Sequence, residues 1–246
     1  CITEADAESV VGPLLRPGPV LARVGTQVVM LDPGHGGRDQ GATGVSARPE
    51  KALTLDLAKR VKSQLEKAGI QVMMTRADDR YLSLGERSDI ALARHADLFV
   101  SLHFNQASNR EASGIEVFAL TAQGQPSTLD AAGESIPPVA FRGHAHKAGG
   151  AILSDRVHAA LVEGLKPVDR GLRRARFAVL KNAPCPAVLA DCGFLSHAAE
   201  ARLIGTDRHL DALADAMALG LRTYIGEARA ARLRSHAGSR GERPSS

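Results

Sequence analysis

The chain has no tryptophan, two tyrosines and six phenylalanines in 246 residues. That scarcity excludes a surface that stacks the bases of single strands, which needs aromatic platforms. Net charge offers no substitute. Of the formal +4, residues 226–246 hold five arginines against two glutamates, leaving the rest of the chain near +1. No nucleic-acid partner is expected. No apolar run approaches the ~20 residues that span a bilayer. Cysteine is also sparse. Cys185 and Cys192 flank an apparent strand, which would hold them roughly 23 Å apart, whereas a disulfide needs less than about 7 Å. Cys1 stands where a lipid-modified cysteine would stand after signal removal, and equally where a chain has been cut.

What is present suits one α/β domain: 44% apolar residues in a length that fills a single core. Residues 1–26, with Gly12-Pro13 and Pro17-Gly18-Pro19, read as an arm or linker. Residues 226–246 read as a basic, disordered tail, leaving 27–225 as the domain. Within it, strand 27–31 leads through a glycine loop to a helix over 50–68, where Leu53, Leu57, Val61 and Leu65 repeat every four residues. Strand 70–74 follows. Ser83 with Glu86 is a capping-box signature for a helix ending near His95. Strands at 97–103 and 115–120, a patternless 121–140, and a helix over 143–165 come next. Short strands at 177–180 and 186–191 precede a helix capped by Asp207. The alternation predicts a mainly parallel, twisted sheet of about six strands with helices on both faces. Ligands of such sheets collect beyond the strands' carboxyl ends.

At those ends stand the chemistry-bearing residues. His35 follows strand 27–31 in Gly34-His35-Gly36-Gly37, Glu50 opens the first long helix, and His103 closes an apolar strand. Singly each has an ordinary structural reading: a loop histidine, a carboxylate stabilised by a helix dipole, a satisfied core histidine. Together, two imidazoles and a carboxylate are the donor set of a zinc site with an open fourth position, and two nitrogen ligands favour zinc over magnesium or calcium. Asp32 is placed to orient an imidazole, and Asn105 projects to the same side as His103, in reach of a substrate.

The order and context of these residues resemble the zinc-dependent N-acetylmuramoyl-L-alanine amidases of type 3. The resemblance rests on LDPGHGGRDQGA (31–42), Glu50-Lys51, LSLGERSDIA (82–91), ADLFVSLHFN (96–105), GIEVF (114–118), DRGLRRARFAVL (169–180) and PAVLADCGFLSH (186–197). It covers about residues 27–225. It implies a hydrolase that cleaves the amide between muramic acid and L-alanine in peptidoglycan, with His35, Glu50 and His103 as zinc ligands. The setting it implies is the bacterial cell envelope, periplasmic or secreted, lipid-anchored if Cys1 is modified. A monomer is expected.

The chain departs from the family at one position. Where the family usually carries the glutamate that moves the reaction's protons, this chain has Asp191, whose reach is roughly 1.5 Å shorter. A misplacement of that size slows catalysis on the order of a hundredfold. The expectation is a retained, slower activity. The alternative is a pseudoamidase that binds peptidoglycan without cutting, and a third reading is a zinc peptidase acting on sugar-free peptides. Glu116 is a second carboxylate candidate, with an arginine salt bridge as its plainer role. Cys192 reads as a small buried thiol, and Arg76 and Arg87 as organisers of loops. Some family members plug the metal site with an inserted helix. Here only 121–140 has room for one, and its prolines and glycines disfavour it, so an open site is expected, with Glu134 the candidate for any occluding ligand.

Overall fold

The computed structural model describes residues 11–45, 48–130 and 139–241, together with Ala7. Cys1 and Glu134 lie outside the described residues. Six strands form one sheet in the order β2-β1-β3-β6-β4-β5: β1 (Val28–Pro33), β2 (Gln71–Met74), β3 (Leu98–Asn105), β4 (Ile115–Leu120), β5 (Asp169–Ala175) and β6 (Ala187–Phe194). All pairings are parallel except β4 with β6. Strands β4 and β5 therefore run against the other four, and their amino ends lie beside the carboxyl ends of β3 and β6. That reversal brings Glu116 and Arg170 to the end of the sheet that carries the histidines.

One face is covered by three long helices, α3 (Glu50–Lys67), α5 (Lys147–Leu165) and α8 (Asp207–Gly241), the last reached from β6 through the short α7 (Ala198–Ile204). Their four-residue apolar repeats (Leu53, Leu57 and Val61; Ile152, Val157 and Leu161; Leu210, Leu213 and Met217) all point inward and join a single large core. The other face carries α4 (Leu84–Ala93) and the one-turn α6 (Ala178–Lys181) over a smaller cluster around Met30, Phe99, Phe118 and Leu189. Ser83 and Glu86 complete the capping box expected at the start of α4.

Several sequence expectations need correction. The strand expected at 177–180 is instead the helix α6, capped by Phe177, whose carbonyl accepts hydrogen bonds from the Leu180 and Lys181 N–H groups; a short apolar run does not distinguish the two. The strand is β5 just before it, whose arginines disguise an edge strand. Thr206, rather than Asp207, caps α8, its hydroxyl accepting from the His209 N–H at 3.3 Å. The arm and tail are also less detached than their composition suggests. Two short helices, α1 (Gly12–Leu15) and α2 (Gly18–Leu21), precede β1, and Leu21 and Val24 are buried in the main core. Helix α8 continues well past residue 225. Ala228 and Ala231 pack inward, Arg229 donates to the Thr26 carbonyl (3.2 Å), and Arg232 donates to the Val24 carbonyl (2.7 Å). The two flanks cover one another, which composition alone does not reveal.

Candidate metal centre

Strands β1 and β3 are neighbours, yet the chain leaves β1 for α3 on one face and reaches β3 from α4 on the other. The crevice at such a switch point is where ligands bind in open α/β sheets. His35, just past β1, and His103, near the end of β3, meet there with ring centroids 4.9 Å apart in an edge-to-face arrangement. Glu50 reaches in from the first turn of α3 and lies between them. Its Oε2 is 3.0 Å from His35 Nε2, and its Oε1 is 2.9 Å from His103 Nδ1. Donor atoms of all three residues fall within 4.8 Å of one another. The structure thus brings the three candidate ligands together.

The carboxylate is 3% exposed and tightly held. Ala42 N–H donates to Oε2 at 2.7 Å and Phe104 N–H to Oε1 at 3.0 Å. Burial opposes its charge, but hydrogen bonds and positive charge from His103 and His35 outweigh that and hold the carboxyl well below the usual range. For His35, burial likewise opposes protonation, while Glu50 and Asp39 more than compensate and raise its pKa. Two nitrogens and an ionised carboxylate turned towards one point are a chemically suitable set for zinc.

The loop is built for close approach. His35 itself has φ +61°, uncommon for a residue with a side chain and characteristic of functional sites. Gly34 lies flat under the His103 ring, and a Cβ there would come 2.2 Å from it. Gly41, at φ +66°, leaves no room for a Cβ, which would lie 2.6 Å from both Glu50 Oε2 and His35 Cδ2.

Two buried arginines hold this loop from beneath. Arg76 donates to the carbonyls of Pro33 (2.9 Å), Gly34 (2.7 Å) and Lys51 (2.9 Å). Arg87 donates to Asp32 Oδ1 (2.8 Å) and to the carbonyls of Pro33 (2.9 Å) and His35 (2.8 Å). Asp32, fully buried, also accepts from Thr75 (2.7 Å) and Ser101 (2.8 Å). It anchors the loop and does not orient an imidazole as the sequence suggested. That role falls to Asp39, whose Oδ2 lies 2.9 Å from His35 Nδ1. Asp39 sits four residues after His35 within GGRDQGA, and the spacing was the available signal.

Asp191 pairs in register with His103 on β3 and with Glu116 on β4, so the three share one row on one face of the sheet. It is 9% exposed. Burial, reinforced by the charges of Glu50 and Glu116 and opposed by His103 and His35, raises its pKa to about 7. Glu116 receives Arg170 Nε at 2.6 Å and Asn105 Nδ2 at 3.1 Å, with Arg173 Nε at 3.3 Å, the salt bridge its sequence suggested. Asn105 also accepts from the Gln106 N–H through its Oδ1 at 2.7 Å, and its second amide hydrogen has no partner among the described residues. A cleft of about 280 Å³ opens over the row between Tyr81, Leu84, Phe177 and Val179. These apolar walls were not singled out from the sequence, because they come from two stretches far apart along the chain. Cys192 is buried and its thiol pKa is raised by burial, which leaves it inert. Residues 121–130 carry no helix.

The fold and this row of groups define an α/β domain with a candidate metal centre of hydrolase type. Comparison with known proteins narrows it. Residues 29–223 match the family model for N-acetylmuramoyl-L-alanine amidase, type 3, and the chain belongs to that family. It is 34% identical over 230 residues to the N-acetylmuramoyl-L-alanine amidase AmiA of Escherichia coli, an overlap covering 82% of this chain and 77% of that protein. Among solved structures, an N-acetylmuramoyl-L-alanine amidase of Clostridium difficile 630 superposes with a TM-score of 0.69 at 33% identity, covering 82% of this chain and 97% of that one. The catalytic domain of CwlV from Bacillus (Paenibacillus) polymyxa gives 0.68 at 27% identity, covering 81% and 98%.

Proposed function

We propose that this chain is a zinc-dependent amidase of the bacterial cell envelope that hydrolyses the bond between N-acetylmuramic acid and L-alanine in peptidoglycan. The observation that carries the reading is the convergence of His35, Glu50 and His103 beside Asp191 at a sheet switch point, in a member of the amidase family. His35, Glu50 and His103 would hold the zinc, which supplies Lewis acidity towards the scissile carbonyl and acidifies water.

The chain's own residues supply the rest. Asp39 fixes which His35 nitrogen faces Glu50, and the two backbone N–H groups on Glu50 keep its oxygens from turning. Asp191 in its ionised form accepts a proton from water as the water oxygen bonds to the carbonyl carbon. As the carbon–nitrogen bond breaks, it returns that proton to the amine. Burial raises the Asp191 pKa in the metal-free protein, and a nearby divalent cation would favour the ionised form that accepts the proton. Asn105 offers its free amide hydrogen to a substrate oxygen. The apolar cleft walls exclude bulk water from one side of the reacting bond.

Digestion of purified sacculi with zinc-loaded protein tests this. Stem peptides beginning at L-alanine and peptide-free glycan are the expected products by mass. Binding to sacculi without release would favour the pseudoamidase, and cleavage of free stem peptide alone would favour a peptidase.

A further inference from the structure

A second recess, of about 420 Å³, is lined by Thr43, Gln106, Ser108, Arg110 and Ser196. Each wall continues a segment that carries the site. Thr43 follows Ala42, whose N–H holds Glu50. Gln106 follows Asn105, and Ser196 lies on the chain leaving Asp191 and β6. The walls are tied together: Ala107 N–H donates to Ser196 Oγ (3.0 Å), Leu195 N–H to the Asn105 carbonyl (2.8 Å), and Val45 N–H to the Leu195 carbonyl (3.1 Å). Asn109 Oδ1 accepts from the Glu111 N–H at 3.0 Å and so shapes the turn that presents Arg110.

The two recesses differ in chemistry. The cleft towards Tyr81 and Phe177 is apolar apart from the site's own groups, and the carboxylates of Asp39 and Asp191 line it. Apart from the metal centre itself, its one cationic side chain, Arg87, is spent on Asp32, so the cleft offers an entering carboxylate no side-chain partner. The trough is lined by hydroxyl and amide side chains and by Arg110, which is exposed and has no ion-pair partner among the described residues. Other cations around the centre are committed: Arg87 to Asp32, Lys51 to Asp79, and Arg170 and Arg173 to Glu116. Arg38 lies over the Tyr81 ring, 4.1 Å from its centroid.

The substrate is correspondingly asymmetric about the scissile amide. One arm is an uncharged N-acetylated sugar; the other is a peptide bearing amides and carboxylates. We propose that the trough seats the stem peptide, with the Arg110 guanidinium binding one of its carboxylates, so that the sugar lies on the apolar side. This assignment rests on the amidase reading above and adds to it the direction in which substrate crosses the site.

The test uses two soluble muropeptides, one with free stem carboxylates and one with those carboxylates amidated. Wild-type protein is expected to prefer the free form. Arg110→Gln should lower kcat/KM on it by about two- to fivefold, the upper range for an exposed ion pair, and leave the amidated form unchanged. Arg38→Gln should affect both forms alike. The assignment is overturned if Arg110→Gln changes both equally or neither, or if the preference follows Arg38. Dissociation constants for both muropeptides, measured in parallel on an Asp191→Asn background, separate the two claims. Arg110-dependent binding without any cleavage by wild type would sink the hydrolase reading and keep the trough. Cleavage of both forms regardless of Arg110 would do the reverse. Neither cleavage nor binding would remove both.

Discussion

The two faces of the sheet are covered unequally, and the inequality separates stability from chemistry. Under α3, α5 and α8 the interior is a continuous apolar cluster with Leu53, Leu57, Val157, Leu161 and Leu213 fully buried. Under α4 and α6 the apolar cluster is smaller, and towards the carboxyl ends of β3 and β6 it gives way to Ser101, His103 and Asp191 on the same face. Asp32 and Arg87 sit there too, buried and paired at 2.8 Å. The thick face is built to be insoluble in water. The thin face gives up apolar burial so that polar groups can be held, dry and oriented, beside a cleft.

The largest expected effects divide along that line. Glu50→Gln or His103→Ala should abolish turnover and stoichiometric zinc binding while the domain keeps its circular dichroism spectrum. Leu57→Ala or Leu213→Ala on the thick face should cost about 2–5 kcal/mol of stability in denaturant melts yet leave zinc content at saturation unchanged. If thick-face variants lost metal while still folded, the separation would be wrong.

Arg87→Ala joins the two regions. It strips the buried Asp32 of its cation and frees the His35 carbonyl, while the Pro33 carbonyl keeps Arg76, at a cost of about 3–5 kcal/mol, with zinc affinity falling as well. Arg87→Lys should recover little, since one ammonium cannot serve the oxygens now reached by a planar fork. Equal metal affinity in Arg87→Ala would show that the loop holds its shape unaided.

Asp191 gives the next largest effects. Asp191→Asn should lower kcat by about 10²–10⁴, the usual span for a lost general acid–base. Asp191→Glu should raise turnover, because the adjacent cleft of about 280 Å³ has room for the extra methylene and the longer arm restores reach. Unchanged or lower turnover in that variant would mean the backbone is already fitted to aspartate.

The smallest effect is on pH dependence. In the metal-free protein Asp191 titrates near 7, above its unfolded value. Its contribution to stability is therefore complete at acid pH and is lost as pH rises from about 4 through 7. Asp191→Asn should flatten that part of the stability–pH curve, and a curve with the same slope in both proteins would argue against the burial. In the loaded enzyme a nearby divalent cation favours the carboxylate, so the ascending limb of kcat should lie below the metal-free titration.

How much of this was legible in the sequence depended on whether the signal was local. The capping box at Ser83 and Glu86, the repeats of α3, α5 and α8, and the strands leading to His35 and His103 each lie within one segment and were readable. The candidate ligand set was readable because its members sit at element ends within a recurring motif order. What escaped needed two segments at once. Asp39 acts through a loop that folds back on His35. The Tyr81–Phe177 wall joins distant stretches, and the Arg110 trough depends on three chain exits meeting. The reversal of β4, which brings Glu116 beside Asp191, is a fact of topology that no local pattern encodes. The arm and the end of α8 each looked unstructured because each is ordered by the other.

A crystal of zinc-loaded protein, with anomalous scattering recorded across the zinc edge, tests the central claim most directly. The account predicts one strong peak bonded at about 2.0–2.2 Å to nitrogen of His35, nitrogen of His103 and a carboxylate oxygen of Glu50. A peak held by other residues, or none between these three, would contradict it.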